Sequence, residues 1–438
     1  MSNTYLSRTP SSGGNRRTFT FSCWCKKVNI GAVRNTLFSA GTSDSDTDYF
    51  NFDDNTRLNV VLRTGGTTIS EVKANGRRRD PASWYHTVLR VDTTQGTAAD
   101  RVRMYINGEE TTYSYASYPN QDAQTEINDT KLTLVGARAR SSIEHFFGGY
   151  LTDVNFCDGQ SYGPDSFGET DSTTGEWKPK VDLSVSYGTN GFRLKFGSSG
   201  ALGTDTSGQS NNFAVNNVGT NAQTVDTASN NFVTMNPAIA TQGQTPTYSK
   251  GNTIVTSTSN GSYGASALAT FAIDSCKWYW ETKITGDRNN GIAIGLADAT
   301  WDVGSATDSW FGNTGLNGYA FQFTNAGQKK VDNGTGTSYG TQIQVNDILG
   351  TAYDADNNTI TWYINGSSQG QAFSSMRDIS FFPACYGYYN TQWEFNFGNP
   401  AFTIASGNSD ANGYGNFEYA VPSGYYALCS KNLGAYGG

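Results

Sequence analysis

Charge is scarce in this chain. Lys, Arg, Asp and Glu make up 16% of its 438 residues, against ~25% in an ordinary soluble domain. Long surface helices draw on Glu, Lys, Arg, Ala and Leu, so this scarcity argues against a helical protein. Positive charge is the scarcer sign, with 30 Lys and Arg against 38 Asp and Glu, a net −8. A nucleic-acid partner needs a basic face and is not expected.

Only two histidines are present, His86 and His145. His86 follows Trp84 and Tyr85 in a strand-like run, and a catalytic reading would need a nucleophile or metal beside it. His145 precedes Phe146 and Phe147 and reads as a loop edge. Both are expected to be structural. The six cysteines (Cys23, Cys25, Cys157, Cys276, Cys385 and Cys429) lack the spacing of a zinc site and read as small apolar residues. No run approaches the ~18 apolar residues of a membrane span, and no membrane insertion is expected. Residues 1–17 are polar, so no secretory signal is expected. Walker and dinucleotide fingerprints are also missing.

What is abundant is glycine, 50 residues, and aromatics, 13% of the chain. This composition suits short strands joined by many turns. Phe19, Phe21, Cys23 and Cys25 share one parity of a strand that alternation marks as half-buried. Strand-like runs recur at 57–64, 84–92, 101–106, 131–136 and 149–156, then at 278–284, 291–297, 348–354, 359–364, 381–385 and 393–398. Met104-Tyr-Ile-Asn-Gly108 and Trp362-Tyr-Ile-Asn-Gly366 echo one another, each ending in an Asn-Gly hairpin signal. The fold class is therefore all-β: two antiparallel β-sandwiches, at 1–196 and 253–438. They are joined by a Gly/Ser/Asn-rich linker or extended segment at 197–252.

Several residue sets are candidates for binding. Asp44, Asp46, Asp48 and Asp53 lie on and beside one loop. They could hold a structural calcium, which wants several oxygen ligands, or simply make a solvated turn. Arg77, Arg78 and Arg79 form a compact basic loop suited to docking on an acidic neighbour. Trp301, Trp310, Phe311, Tyr339, Tyr386, Tyr388 and Tyr389 are expected in loops, where aromatic rings stack ligands such as sugars. Glycoside hydrolysis needs paired carboxylates facing one groove. Glu109 and Glu110 are adjacent and would face opposite sides of a strand, so no enzyme is expected.

Residues 253–428 resemble a SPRY domain. The likeness rests on Lys277-Trp-Tyr-Trp-Glu281, Ile292-Ala-Ile-Gly-Leu-Ala297, Asp347-Ile-Leu-Gly-Thr-Ala-Tyr-Asp354, Phe382-Pro-Ala384, Asn396-Phe-Gly398 and Pro422-Ser-Gly424. Residues 1–196 resemble the concanavalin-like, laminin-G-like (jelly-roll) domains of phage structural proteins. Here the residues are Tyr5-Leu-Ser-Arg-Thr-Pro10, Trp84-Tyr-His86 and Phe147-Gly-Gly-Tyr-Leu-Thr-Asp-Val-Asn-Phe156. Ser166-Phe-Gly-Glu-Thr170, Gly175-Glu-Trp-Lys-Pro179 and Asn230-Asn-Phe-Val-Thr-Met-Asn-Pro237 are similar to runs in marine tailed-phage proteins.

The resemblance implies a virion structural protein, assembled in the host cytoplasm with reduced cysteines. It would be a tail fibre, knob or other appendage presenting lectin-like domains to a host-surface glycan or a neighbouring subunit. Other virion proteins are its expected partners, and a homotrimer or higher array is expected. The alternatives are a capsid decoration protein with no receptor role, and a polysaccharide depolymerase.

Overall fold

The computed structural model describes residues 3–219, 222–239, 244–258, 264–286, 292–298, 318–323, 327–332 and 334–437. The chain divides into two compact units, Met1–Gln223 and Thr224–Gly438. Each is a pair of antiparallel sheets enclosing its own apolar core.

In the first unit, eight strands run side by side in one sheet. Their order is Tyr113–Ser117, Thr67–Arg77, Arg57–Thr64, Thr47–Phe52, Asn35–Gly41, Thr133–Val135, Tyr5–Arg8 and Ala214–Asn216. The facing sheet runs Phe192–Leu194, Gly149–Asp158, Thr18–Lys27, Trp84–Asp92, Val102–Ile106 and Glu109–Glu110. Alternate residues of both sheets meet between them: Phe19, Phe21, Cys23 and Cys25 from one, Phe38, Phe50, Phe52, Leu58 and Val60 from the other. Phe21 stacks on Phe38 with ring centroids 4.5 Å apart.

Thr18–Lys27 is buried on both faces rather than one. The reason is the segment that follows the last long strand. Phe167, Tyr187, Leu183 and Val185 pack with Val88, Tyr105 and Cys157 on the outer side of the six-stranded sheet. All six thiols are free; five are buried and Cys276 is partly exposed.

The second unit holds Thr247–Ser249, Ile254–Thr256, Gln392–Asn396, Lys277–Thr285, Ile348–Asp354, Thr359–Ile364 and Ser367–Phe373 in one sheet. Tyr426–Ala427 lies parallel to the start of Lys277–Thr285. Ala265–Leu268, Phe381–Gly387, Ala293–Asp298, Gly318–Gln322, Gln328–Val331 and Thr337–Ser338 form the other. Trp278, Trp280, Trp362 and Trp393 are fully buried between them. Among the described residues the one α-helix is short, Ser430–Tyr436.

The echoed hairpins use one device twice. Asn107 and Gly108 have φ of 49° and 86°, Asn365 and Gly366 47° and 78°, the left-handed pair that a two-residue turn demands. In each turn the Asn side-chain oxygen accepts a backbone N–H from the preceding strand, His86 at 2.8 Å and Ile348 at 3.0 Å. An aromatic ring then lies against each glycine. A Cβ there would fall 2.8 Å from Trp177 in one unit and 2.6 Å from Tyr419 in the other. Glycine is thus required by both φ and space.

The expected linker at 197–252 is instead divided between the two units. Phe213 enters the first core and Ala214–Asn216 adds a strand beside Tyr5–Arg8. The Asp205 carboxylate accepts the backbone N–H groups of Arg193, Ser207 and Asn211, each at 2.8 Å. Val233 and Met235 join the second core. Asn, Ser and Gly here bond backbone groups that no ladder satisfies.

Candidate functional site

His86 and Ser22 are diagonal neighbours on adjacent strands, His86 facing Trp24 and Ser22 facing Val88, with Ser22 Oγ 2.8 Å from His86 Nε2. Such a pair could be a nucleophile and its base. The third contact decides otherwise. The Trp177 indole N–H, which can only donate, reaches His86 Nδ1 at 3.0 Å. Nδ1 must then be bare, so the neutral ring carries its hydrogen on Nε2 and donates it to Ser22. This is the wrong tautomer for taking the serine proton. Trp24 stacks on the ring at 4.8 Å, and burial pushes the imidazole down to about 3. His86 is a structural joint fastening the hairpin of Gly168–Thr170 and Trp177–Pro179 over the sheet.

The four aspartates do not converge. Asp44 pairs with Arg140 at 2.7 Å. Asp46 accepts the Gly65 N–H at 2.7 Å. Asp53 accepts those of Asn55 and Arg57, both at 2.9 Å. Asp48 points into the sandwich, where it takes the N–H groups of Arg63 at 2.7 Å, Glu126 at 2.5 Å and Ile127 at 3.0 Å. Each closes its own turn or loop, and among the described residues no three His, Cys, Asp or Glu side chains are grouped to hold a metal ion. The basic run is only partly a loop, since Arg77 ends the strand Thr67–Arg77. Arg77 and Arg79 are exposed and Arg78 is half-buried.

The aromatic candidates separate. Trp301, Trp310 and Phe311 lie outside the described residues. Tyr339 is a core residue, not a loop platform. Its ring packs on Phe321 and Trp362, and its hydroxyl donates to the Gly370 carbonyl at 2.6 Å. Tyr386 is likewise fully buried and donates to the Tyr388 hydroxyl at 2.7 Å. Tyr339 faces the sandwich core, whereas Tyr386 is covered on the other face of its sheet, beside Leu268, Ala293 and Ala384.

Tyr388 and Tyr389 open the hairpin between Phe381–Gly387 and Gln392–Asn396, closed by a Thr391 N–H to Tyr388 carbonyl bond of 3.1 Å. The two central residues, Tyr389 and Asn390, have φ of 50° and 57°. Asn tolerates that conformation, whereas a bulky residue there is strained by roughly 1–2 kcal/mol. Tyr389 is also 41% exposed, so the core gains little from its ring.

One buried carboxylate escaped the sequence reading. Glu281 is fully buried. It accepts the backbone N–H of Tyr419 at 2.8 Å and of Glu418 at 2.9 Å, with the Asn396 amide at 3.1 Å and the Tyr279 hydroxyl at 3.3 Å. Burial pushes its carboxyl above the usual range. Two of the four bonds hold the backbone of Glu418 and Tyr419 and the other two lie within the sheet, so Glu281 anchors this loop to the sheet. No signal in an isolated Glu within Lys277-Trp-Tyr-Trp-Glu281 marks Asn396, Glu418 and Tyr419, which lie more than a hundred residues away.

Comparisons with known proteins divide the chain in the same way. Residues 2–160 match the Concanavalin A-like lectin/glucanases superfamily and residues 277–400 the SPRY domain. An ATP-dependent RNA helicase of Xenopus laevis, DDX1, is 28% identical over 140 residues. That match covers 31% of this chain and only 17% of the helicase. The SPRY domain of human HERC1 aligns at 19% identity and a TM-score of 0.30, covering 34% of this chain and 91% of that one. A heptameric SAP-like pentraxin from Limulus polyphemus aligns at 15% identity and a TM-score of 0.26, covering 37% and 73%. The chain thus carries an N-terminal concanavalin-like, laminin-G-like domain and a C-terminal SPRY domain.

Proposed function

We propose that this chain is a recognition protein of a tailed-phage particle, a tail fibre, knob or similar appendage. It would bind a host-surface glycan or a neighbouring subunit through its SPRY domain, without covalent chemistry. The particle assignment draws on the resemblance of the first domain and of residues 166–179 and 230–237 to phage structural proteins. The recognition assignment rests on one observation: a strained, exposed tyrosine at the tip of a hairpin. A residue that costs stability and adds little to the core is retained for what its side chain touches.

Tyr389→Gly tests this. Glycine accepts the left-handed φ, so the SPRY domain should gain about 1 kcal/mol in a denaturation titration. Adsorption of particles carrying the variant should fall about tenfold. Unchanged adsorption would remove the hairpin tip from the binding surface. Locating the chain by electron microscopy of intact particles separates an appendage from a capsid decoration.

A further inference from the structure

One end of the eight-stranded sheet gathers four arginines. Arg57 lies directly opposite Arg77 on the neighbouring strand, and Arg78 and Arg79 follow in the chain. Like charges opposite one another across a sheet are destabilising. Among the described residues none of the four forms an ion pair, because the nearby carboxylates are engaged elsewhere. Asp53 pairs with Lys73 at 3.8 Å and Asp54 with Arg34 at 3.7 Å. Asp80 accepts the Ala82 N–H at 2.8 Å and the Ser83 hydroxyl. The Arg57 guanidinium donates to the Ser114 hydroxyl at 3.4 Å, and Arg78 folds back onto the Arg77 carbonyl at 3.3 Å. Arg77 and Arg79 point their charge into solvent.

The second unit has the complementary surface. Asp274, Asp356 and Asp378 are exposed, and three contacts draw their loops together. Asp356 accepts the Cys276 N–H at 2.7 Å, the Ser380 hydroxyl donates to Asp274 at 3.3 Å, and the Met376 N–H donates to the Asn358 carbonyl at 2.9 Å. The cations beside them are taken: Lys277 pairs with Asp354 at 2.8 Å and Arg377 with Asp332 at 3.1 Å. Among the described residues the three aspartates form no ion pair. Each unit thus ends in a charged surface that it does not itself neutralise, one of each sign.

We infer that these two surfaces meet between copies of this chain, the arginine end of one copy's first domain docking on the aspartate end of another's SPRY domain. The partner is a second copy because the chain carries both charges, each uncompensated where it stands. Such a contact is heterologous, head to tail, and repeats into a ring or a filament. Single exposed ion pairs contribute little. A cluster of one sign meeting a cluster of the other steers the encounter and fixes its register. The Tyr389 hairpin stays free for the binding proposed above. Ile273, next to Asp274, bridges Phe381 at the start of the strand Phe381–Gly387. The hairpin leaves the other end of that strand, ~20 Å away at ~3.3 Å per residue.

Sedimentation velocity of the intact two-domain chain reads the association. At ~20 mM salt the parent should form species larger than the monomer, and at ~0.5 M salt, where charges are screened within a few ångströms, it should be monomeric. Arg77→Glu with Arg79→Glu, and separately Asp274→Lys with Asp378→Lys, should each weaken association about tenfold or more. All four side chains are exposed, so Tm should stay at the parent's value. Mixing the two variants in equal amounts should restore association, because each reversed end then meets a reversed partner and each native end a native one. Tyr389→Gly should associate as the parent does. A reversal that lowers Tm is replaced by Arg79→Gln or Asp378→Asn, each of which should weaken association about threefold. A parent that is monomeric at low salt, association that survives either reversal, or a mixture that stays monomeric would overturn the proposal. The last result would assign the two clusters to a contact within one chain. A monomeric parent that binds a heparin hexasaccharide through Arg77 and Arg79 would assign the arginines to an acidic glycan instead.

Discussion

Exchanging Glu281 for leucine is expected to destabilise the SPRY domain by roughly 3–5 kcal/mol, the range for breaking a buried charged network. The carboxylate closes four hydrogen bonds at no solvent exposure. Leucine matches its bulk but leaves two backbone N–H groups and an amide buried without acceptors. Phe417, which meets Tyr279 edge-on with ring centroids 5.3 Å apart, loses the attachment of its loop as well. Glu281→Gln keeps one oxygen as an acceptor and should cost less than leucine. Urea titration followed by tryptophan fluorescence reads both variants. A leucine variant within about 1 kcal/mol of the parent would mean that the 417–419 segment is held by packing alone.

The second large effect is a dependence on pH in the first domain. Burial pushes the Asp48 carboxyl up to about 7 even though three backbone N–H groups favour its charged form. The folded protein therefore binds this proton more tightly than the unfolded chain does. The stability it contributes is full below about pH 4 and lost as pH rises through about 7, on the order of 4 kcal/mol at most. His86 has the opposite sign. Its pKa is pushed down to about 3, so its contribution is full above about pH 6.5 and lost as pH falls. Between about pH 4 and 6.5 the two oppose each other and the parent should be nearly flat. Asp48→Asn exposes the His86 slope. Relative to the parent it should lose more stability at pH 5 than at pH 8, by on the order of a few kcal/mol. Equal losses at the two pH values would show that Asp48 does not titrate in this range.

Much of the fold is legible in the sequence because period-two alternation reports directly on which side of a strand is buried. Phe19 to Cys25 and Trp278 to Ile284 follow it, and the two Asn-Gly turns lie where their dipeptides put them. The segment at 197–252 is not legible, because its folding rests on polar bonds. Asn211, for example, donates to the carbonyls of Thr189 and Gly191, and composition reads such residues as linker. Tyr339 and Tyr386 misled for a related reason: a tyrosine among Gly, Ser and Asn resembles a surface loop until the packing shows what covers its ring.

The strand from residues 214–216 has a mechanical meaning. It pairs antiparallel with Tyr5–Arg8, placing Asn216 opposite Tyr5 and Ala214 opposite Ser7. A load entering ahead of Tyr5 and leaving after Asn216 pulls on the two facing ends of this pair. Its hydrogen bonds are then met one after another, as in a zipper, rather than sheared together. The edge strand would peel at low force, releasing chain at up to ~3.5 Å per residue, while the strand order from Tyr5–Arg8 inward stays closed. Under tension the first domain would lengthen before it unfolds, and so act as a shock absorber.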